Sequence, residues 1–279
     1  MKRQLLIAVG LSLLLILAGC NEVQPVEENT PTTETPPSVE DLAGFNDSGV
    51  TSGDVVYNAH KTNLMDKGSW TVIFETNRSD GNQSETFTEV RTVDHVAETQ
   101  IRTVETRGQS YTLYNTDTDG YQRLVTDNRT MFQYNPAGYN ASRATHSSLL
   151  TSVLSNVEYN MTNTTTENET TFYTFESVGF TEDSEFSSDP DEQPRLENFT
   201  STFTVGDDGI VHTFQMETVF VWDTRPNITY SVSLTFEDIN DTTVTEPAWV
   251  SEAKQSFADN ETTTTPSRTP APNSTNTTR

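Results

Sequence analysis

The chain has 279 residues, of which 32% are hydrophobic, and its formal net charge is -25 at neutral pH. A charge of this sign and size repels phosphate backbones, so we predict no binding to nucleic acid. Lysine occurs only at Lys2, Lys61, Lys67 and Lys254, whereas acidic residues are spread along the whole chain. Such a surface stays hydrated at molar salt, where charge repulsion is screened. The composition predicts a protein of a halophilic archaeon.

Residues 1–20 predict a lipoprotein signal peptide. A cationic start is followed by an apolar run over residues 5–17, which is shorter than the roughly 20 residues that a membrane span needs. Two small residues then precede Cys20, the only cysteine in the chain. A lipidated cysteine with two acyl or isoprenoid chains anchors a protein stably. We predict lipidation of Cys20 and a position on the extracellular face of the cell membrane; the alternative is a plain secretory leader with an incidental cysteine.

Composition divides the remainder of the chain into three parts. Residues 21–48 are rich in proline, threonine and glutamate and predict a disordered linker. Residues 49–253 predict a folded domain, which contains no cysteine and therefore no disulfide. Residues 254–279, rich in threonine, proline and asparagine, predict a disordered tail.

The first half of the domain predicts one helix and then an antiparallel meander. Residues 53–64 have apolar side chains at helical spacing after a serine or threonine cap. Alternating or β-branched segments separated by glycine-containing turns follow. We predict strands at residues 69–75, 84–94, 96–105, 110–115, 121–126 and 130–134.

The second half predicts another helix and more strands. Residues 140–155 place leucine, valine and alanine on one helical side. Residues 160–171 are polar and predict a loop, residues 172–178 a strand, and residues 181–197 an acidic loop. Strict apolar alternation then predicts three strands at residues 199–205, 210–222 and 228–236, joined by short turns.

Together these elements predict an α+β fold in which a curved antiparallel sheet, a half-barrel, carries two helices on its concave face. The sheet would turn its large apolar side chains to one side, where they could line a ligand cleft. The alternative is that the helices fill the concavity and the aromatic residues are core. The candidate ligand-binding residues are Trp70, Phe74, Phe214, Phe220, Trp222, Tyr230 and Phe236.

Asparagine occurs unusually often in the sequon Asn-x-Ser/Thr. Fourteen of the twenty-one asparagines begin such a sequon, whereas chance would give about five or six in a chain with this serine and threonine content. The excess predicts an exported, glycosylated surface. The candidate sites in the folded part are Asn77, Asn82, Asn128, Asn140, Asn160, Asn163, Asn168, Asn198, Asn227 and Asn240.

The sequence offers no catalytic constellation. His60, His95, His146 and His212 lie in unrelated segments, and no zinc-protease motif, nucleophile elbow or phosphate loop is present. Residues 115–120 space their acids like a calcium loop but lack its final glutamate, so an Asp-Gly turn is the better interpretation. We predict no enzyme activity, no metal and no cofactor.

Three short segments resemble a known family. The motif Leu17-Ala18-Gly19-Cys20, the segment Tyr57-Asn58-Ala59-His60 and the segment Pro247-Ala248-Trp249 are similar to those of uncharacterised surface lipoproteins of haloarchaea. Those proteins resemble, more distantly, the half-barrel carriers of lipoproteins and lipids of the LolA and LppX type. The resemblance implies non-covalent binding of lipid or another apolar ligand rather than catalysis. The second hypothesis is a structural or interaction protein of the envelope with a filled core and no ligand.

Overall fold

The structure is a computed structural model that describes residues 38–127, 129–182, 184, 186 and 194–262. The predicted signal peptide with Cys20, most of the predicted linker, Asn128 and the end of the predicted tail lie outside the described residues. So does most of the acidic stretch at residues 183–193.

Thirteen strands and three α-helices make up the described residues, with two short 3-10 helices at Val39–Asp41 and Ala141–Thr145. The helices are α1 (Gly53–Lys67), α2 (Ser147–Asn156) and α3 (Trp249–Thr262). The strands are β1 (Phe45–Asn46), β2 (Gly49–Val50), β3 (Ser69–Ser79), β4 (Ser84–Asp94), β5 (Thr99–Thr106), β6 (Gln109–Asn115), β7 (Gly120–Thr126), β8 (Arg129–Asn135), β9 (Val157–Glu167), β10 (Thr170–Phe180), β11 (Arg195–Gly206), β12 (Val211–Val221) and β13 (Ile228–Glu237).

Eleven of these strands form one open antiparallel sheet. Its order is β8-β7-β6-β5-β4-β3-β13-β12-β11-β10-β9, so two meanders meet where β3 pairs with β13. Side chains alternate between its two faces. Along β13, Val232, Leu234 and Phe236 are buried on the face that carries α1 and α2, which we call the concave face. Ser231 and Ser233 lie on the opposite, outer face.

Helix α1 lies on the concave face and is fixed at both ends. The Ser52 hydroxyl accepts a hydrogen bond from the Val55 N–H at 3.4 Å, which caps the first turn. Gly68, with φ +84°, ends the helix in the left-handed conformation that glycine adopts most readily. Between them Val56, His60 and Leu64 are buried. The helix predicted at residues 53–64 is therefore confirmed and extends one turn further.

The helix predicted at residues 140–155 is interrupted. A 3-10 turn ends at His146, whose φ of 47° lies in the left-handed region, and α2 begins at the next residue. The buried Tyr57 and Thr145 hydroxyls, 3.0 Å apart, connect the 3-10 turn to α1. The interruption redirects the chain so that Leu150, Val153 and Leu154 enter the core.

The prediction of a loop at residues 160–171 is wrong. This segment forms most of the hairpin between β9 and β10, and the pairing runs from Val157 opposite Phe180 to Glu167 opposite Thr170. The second half of β9 has exposed side chains on both faces, so it lacks the apolar alternation by which strands are predicted. Backbone pairing and the strand preference of threonine are sufficient here.

Both ends of the domain reach further than predicted. Val39, Leu42 and Phe45, in the segment assigned to the linker, are buried in the core. At the other end α3 continues to Thr262, beyond the predicted start of the tail. This third helix packs on the outer face of β7 and β8, where the rings of Trp249 and Phe132 stack with centroids 6.3 Å apart.

The predicted fold class is confirmed: the domain is an α+β half-barrel with α1 and α2 on its concave face. The addition is α3 on the outer side.

Replacement of Gly53 by alanine tests the contact between α1 and α2. A Cβ at this position would lie 2.3 Å from the backbone carbon of Leu154, an atom that cannot move alone. We expect Gly53→Ala to lower the free energy of unfolding by about 1–3 kcal/mol, measured by chemical denaturation. The control is Gly179→Ala, where the nearest atom is a flexible glutamate oxygen at 3.6 Å. Equal stability of the two variants would contradict this packing.

Candidate ligand-binding face

The seven predicted ligand-binding residues divide into two groups. Trp70, Phe214 and Phe236 are completely or almost completely buried beneath the helices and belong to the hydrophobic core. Phe74, Phe220, Trp222 and Tyr230 are only half-buried. The structure thus places the seven on neighbouring strands, but the three core residues cannot touch a ligand unless the helices move.

Four half-buried side chains gather where β12 turns into β13. Phe220 pairs with Ile228 across the two strands, Tyr230 follows two residues later, and the rings of Phe220 and Trp222 are 6.4 Å apart. None of the four packs against the core that α1 and α2 cover. We call Phe220, Trp222, Ile228 and Tyr230 the aromatic rim.

A second aromatic cluster, which sequence reasoning missed, adjoins the rim. Phe199 lies in register with Thr218, which is itself paired with Tyr230. The Phe199 ring is 5.1 Å from Phe180 and 6.0 Å from Phe186. Phe180 and Phe186 flank or fall within the predicted acidic loop, and their aromatic character was the signal that could have revealed them. These three half-buried rings pack against the hydrophobic core, whereas the rim does not.

Three cavities of the described domain have linings that are more polar than apolar. A groove of about 510 Å³ on the outer face is lined by residues that include Glu75, Asn77, Thr202, Glu217 and Ser231. Two others, of about 450 and 470 Å³, lie beside the start of α1 and at the β5–β6 turn. None of these three is an enclosed apolar chamber.

A buried ion cluster occupies the concave face next to Phe74. The Glu89 carboxylate accepts hydrogen bonds from Arg91 at 2.6 Å and from Arg102 at 2.5 Å. Burial alone would raise the pKa of Glu89, but the two guanidinium groups outweigh it and hold that pKa below its usual value. Glu89 is therefore ionised. The cluster is a structural network in which one carboxylate forms ion pairs with two guanidinium groups.

His60 is buried and His146 is half-buried on the same face, and both are neutral at neutral pH. Nδ1 of His60 accepts a hydrogen bond from the Val211 N–H at 3.1 Å, and burial lowers the pKa of His60 to about 3. Burial likewise lowers the pKa of His146 to about 4, although Glu89 opposes the shift. The His146 ring lies 4.8 Å from the Phe74 ring. Both imidazoles behave as core side chains rather than as catalytic bases.

The other two histidines occupy separate places. Nδ1 of His95 is 3.1 Å from the Tyr139 hydroxyl, and Nε2 of His212 is 3.8 Å from Asp208. Residues 116–119 form the hairpin turn between β6 and β7. Within the described residues, no three histidine, cysteine or acidic side chains are grouped to hold a metal. Over the same part of the chain, no helix combines the length and apolarity of a membrane span.

Removal of the Glu89 charge should destabilise the domain strongly. Glu89→Gln leaves Arg91 and Arg102 facing each other without a counterion, so we expect a loss of about 3–5 kcal/mol in the free energy of unfolding. Glu75→Gln, an exposed glutamate on the adjacent strand β3, should change it by less than about 0.5 kcal/mol. Chemical denaturation of both variants at neutral pH measures the difference; a small loss in Glu89→Gln would contradict the network.

Stability should also fall as the pH is lowered below about 6.5. The unfolded chain takes up protons on His60 and His146 near pH 6.5, whereas the folded pKa values are about 3 and about 4. Between these pKa values, protonation of each histidine in the unfolded chain lowers the free energy of unfolding by up to about 1.4 kcal/mol per pH unit. We expect His146→Asn, which tolerates a positive φ, to halve the slope between pH 6 and 5 in urea titrations. An unchanged slope would contradict the burial of His146.

Several solved structures are similar to this chain at low scores. A LolA superfamily protein from Nitrosomonas europaea is 8% identical, covers 71% of this chain and 96% of its own, and has a TM-score of 0.26. An outer membrane lipoprotein-sorting protein domain from Vibrio parahaemolyticus is 8% identical over 72% and 96% of the two chains, with a TM-score of 0.24. An uncharacterised conserved protein from Thermus thermophilus is 9% identical over 70% and 89%, with a TM-score of 0.26. Scores this low transfer no ligand and no activity.

None of the curated proteins matches the sequence. A family model described as a family of unknown function, DUF7537, matches residues 5–253, which is most of the chain. The chain therefore belongs to the family of unknown function DUF7537.

Proposed function

We propose that this protein is a lipid-anchored lipoprotein on the surface of a halophilic archaeon and that it binds lipid or another apolar ligand at the aromatic rim. The observation that carries the proposal is the half-exposed apolar surface of Phe220, Trp222, Ile228 and Tyr230 at one end of a half-barrel. Each 100 Å² of apolar area that a ligand covers contributes about 2.5 kcal/mol to the free energy of binding. The cost of ordering the ligand is subtracted from this value.

The anchor follows from the leader and the lipobox cysteine rather than from the described structure. Seventeen residues, 21–37, separate Cys20 from the first described residue, Ser38. Fully extended, they span at most about 60 Å. A domain on such a tether could reach ligands in the outer layers of the envelope, and its net charge of -25 keeps it soluble in concentrated salt.

The second candidate is an envelope protein with a filled core that interacts with other surface components. The burial of Trp70, Phe214 and Phe236, together with the mainly polar linings of the three cavities described above, favours it. Both candidates assign binding rather than catalysis to the chain. Measurable ester or peptide hydrolysis by the purified domain would contradict both.

Ligand binding at the rim predicts a difference between the two faces of β12. Phe220→Ser removes an apolar rim side chain, whereas Val219→Ser removes an equally half-buried side chain on the outer face of the same strand. In a soluble Cys20→Ser background, we expect Phe220→Ser to weaken binding of the fluorescent fatty acid cis-parinaric acid at least tenfold, and Val219→Ser to leave it unchanged.

Mass spectrometry of molecules that co-purify with the same proteins provides the second readout. Lipid in the wild-type and Val219→Ser preparations, but not in Phe220→Ser, would support the carrier proposal. Absence of bound lipid together with absence of probe binding by the wild-type domain would overturn it in favour of the filled-core alternative.

Lipid anchoring predicts that Cys20 decides where the protein resides. We expect the full-length protein to remain with the membrane fraction in high salt and to incorporate labelled isoprenoid lipid, because two chains give stable attachment. Cys20→Ser should be unlabelled and should lose membrane attachment through that residue. The matched control is Ser12→Ala within the apolar run, which leaves the lipobox intact. Membrane retention of Cys20→Ser equal to that of the control would contradict the anchor.

A further inference from the structure

Every sequon asparagine whose side-chain burial the structure describes is exposed. There are ten of these, and not one is even half-buried. They are Asn46, Asn77, Asn82, Asn140, Asn160, Asn163, Asn168, Asn198, Asn227 and Asn240. An enzyme that attaches a sugar needs access to the amide, so all ten satisfy the first requirement of N-glycosylation.

Asparagines outside sequons behave differently. Among those that the structure describes, Asn63, Asn115, Asn135 and Asn156 are buried or half-buried, and Asn58 alone is exposed. The contrast shows that exposure is not simply a property of asparagine in this protein. Exposure accompanies the serine or threonine two residues later, which is the feature that a glycosylating enzyme reads.

On the strands of the large sheet, the two kinds of asparagine also occupy different faces. Asn77 pairs with Ser231 and Asn198 with Val219, both on the outer face. Asn160 and Asn163 pair with Glu176 and Thr174, the outer-face residues of β10.

Asn115 and Asn135, which lie outside sequons, are on the concave face. Asn115 pairs with Gln100, which in turn pairs with core residue Val93. Asn135 pairs with Gly120, the partner of Asn115. The apolar face that supports α1 and α2 therefore remains free of sequons on its strands.

Strand β9 carries the densest group of sequons and is an edge of the sheet. Its inner side pairs with β10, and β2 lies against it beside Tyr159 and Asn160, but no other described strand of the large sheet pairs with its far side. Between Met161 and Glu167 it has one charged residue and five exposed polar ones. Edges of this kind recruit strands from other chains, and proteins usually block them with lysine, proline or a bulge. This edge has a bulge near Thr162 but no lysine or proline.

We propose that the outer face is the glycosylated face of this protein and that glycans on Asn160 and Asn163 protect the β9 edge from pairing with a second copy. In each attachment, the asparagine amide nitrogen forms a bond with the anomeric carbon of a polyprenyl-phosphate-linked sugar donor. The phosphate-linked carrier leaves with the bonding electrons, and the amide nitrogen loses one proton. The donor and the transferase belong to the host, and the inference does not depend on ligand binding at the rim.

The test uses the full-length chain in the soluble Cys20→Ser background, called wild type in this test, from a host that N-glycosylates its exported proteins. Glycopeptide mass spectrometry should find sugar on Asn77, Asn160, Asn163 and Asn198. The variant Asn160→Gln/Asn163→Gln removes both β9 sites without adding apolar surface. The matched control Thr162→Ser/Thr165→Ser alters the same strand but keeps both sequons.

Light scattering after size exclusion measures association. The double glutamine variant should form dimers or larger species at a concentration at least tenfold below that of wild type, and the serine control should match wild type. Unmodified Asn160 and Asn163, or equal association of the glutamine and serine variants, would overturn the proposal. Wild-type protein from a host without glycosylation provides an independent check, because it should associate like the glutamine variant.

Discussion

The constraint on which the structure depends is the strict two-sidedness of its central strands. Along β13, Val232, Leu234 and Phe236 are buried while Ser231 and Ser233 face the other way. A sheet with one apolar face must cover that face, and the domain has no disulfide with which to compensate for poor packing. The positions of α1 and α2 follow from this requirement. The ring centroids of His60 in α1 and Phe236 in β13 are 4.7 Å apart, so the helix packs directly against the sheet.

On strand β4, charged residues replace apolar ones at positions on the concave face. Glu89 and Arg91 occupy concave positions that are apolar on β3 and β13, and they remain buried only because Arg102 on β5 completes the network. Beyond them the concave face carries both polar residues, Gln100 and Asn115, and apolar ones, Val104, Tyr111 and Leu113. The ion network therefore places buried charge directly beside the apolar surface that α1 and α2 cover.

Sequence alone predicts what local alternation controls and misses what tertiary packing controls. The last three strands were predicted because apolar residues recur at every second position, whereas β9 was missed because its outer half is exposed on both faces. Trp70 and Tyr230 share a face and were therefore predicted as equivalent, but α1 covers one and not the other. Glu89 and Arg91 escaped notice because charged residues in so acidic a chain suggest solvated positions.

The energetic cost of the exposed rim depends on the solvent in which the protein is proposed to work. Concentrated salt that is excluded from protein surfaces strengthens apolar burial, so each uncovered aromatic ring is more costly there than in dilute buffer. The outer face carries serine, threonine and exposed asparagine, which water and salt solvate well. The rim residues Phe220, Trp222, Ile228 and Tyr230 are apolar and are not solvated in this way. The proposed ligand would cover these four neighbouring apolar side chains and remove them from this solvent.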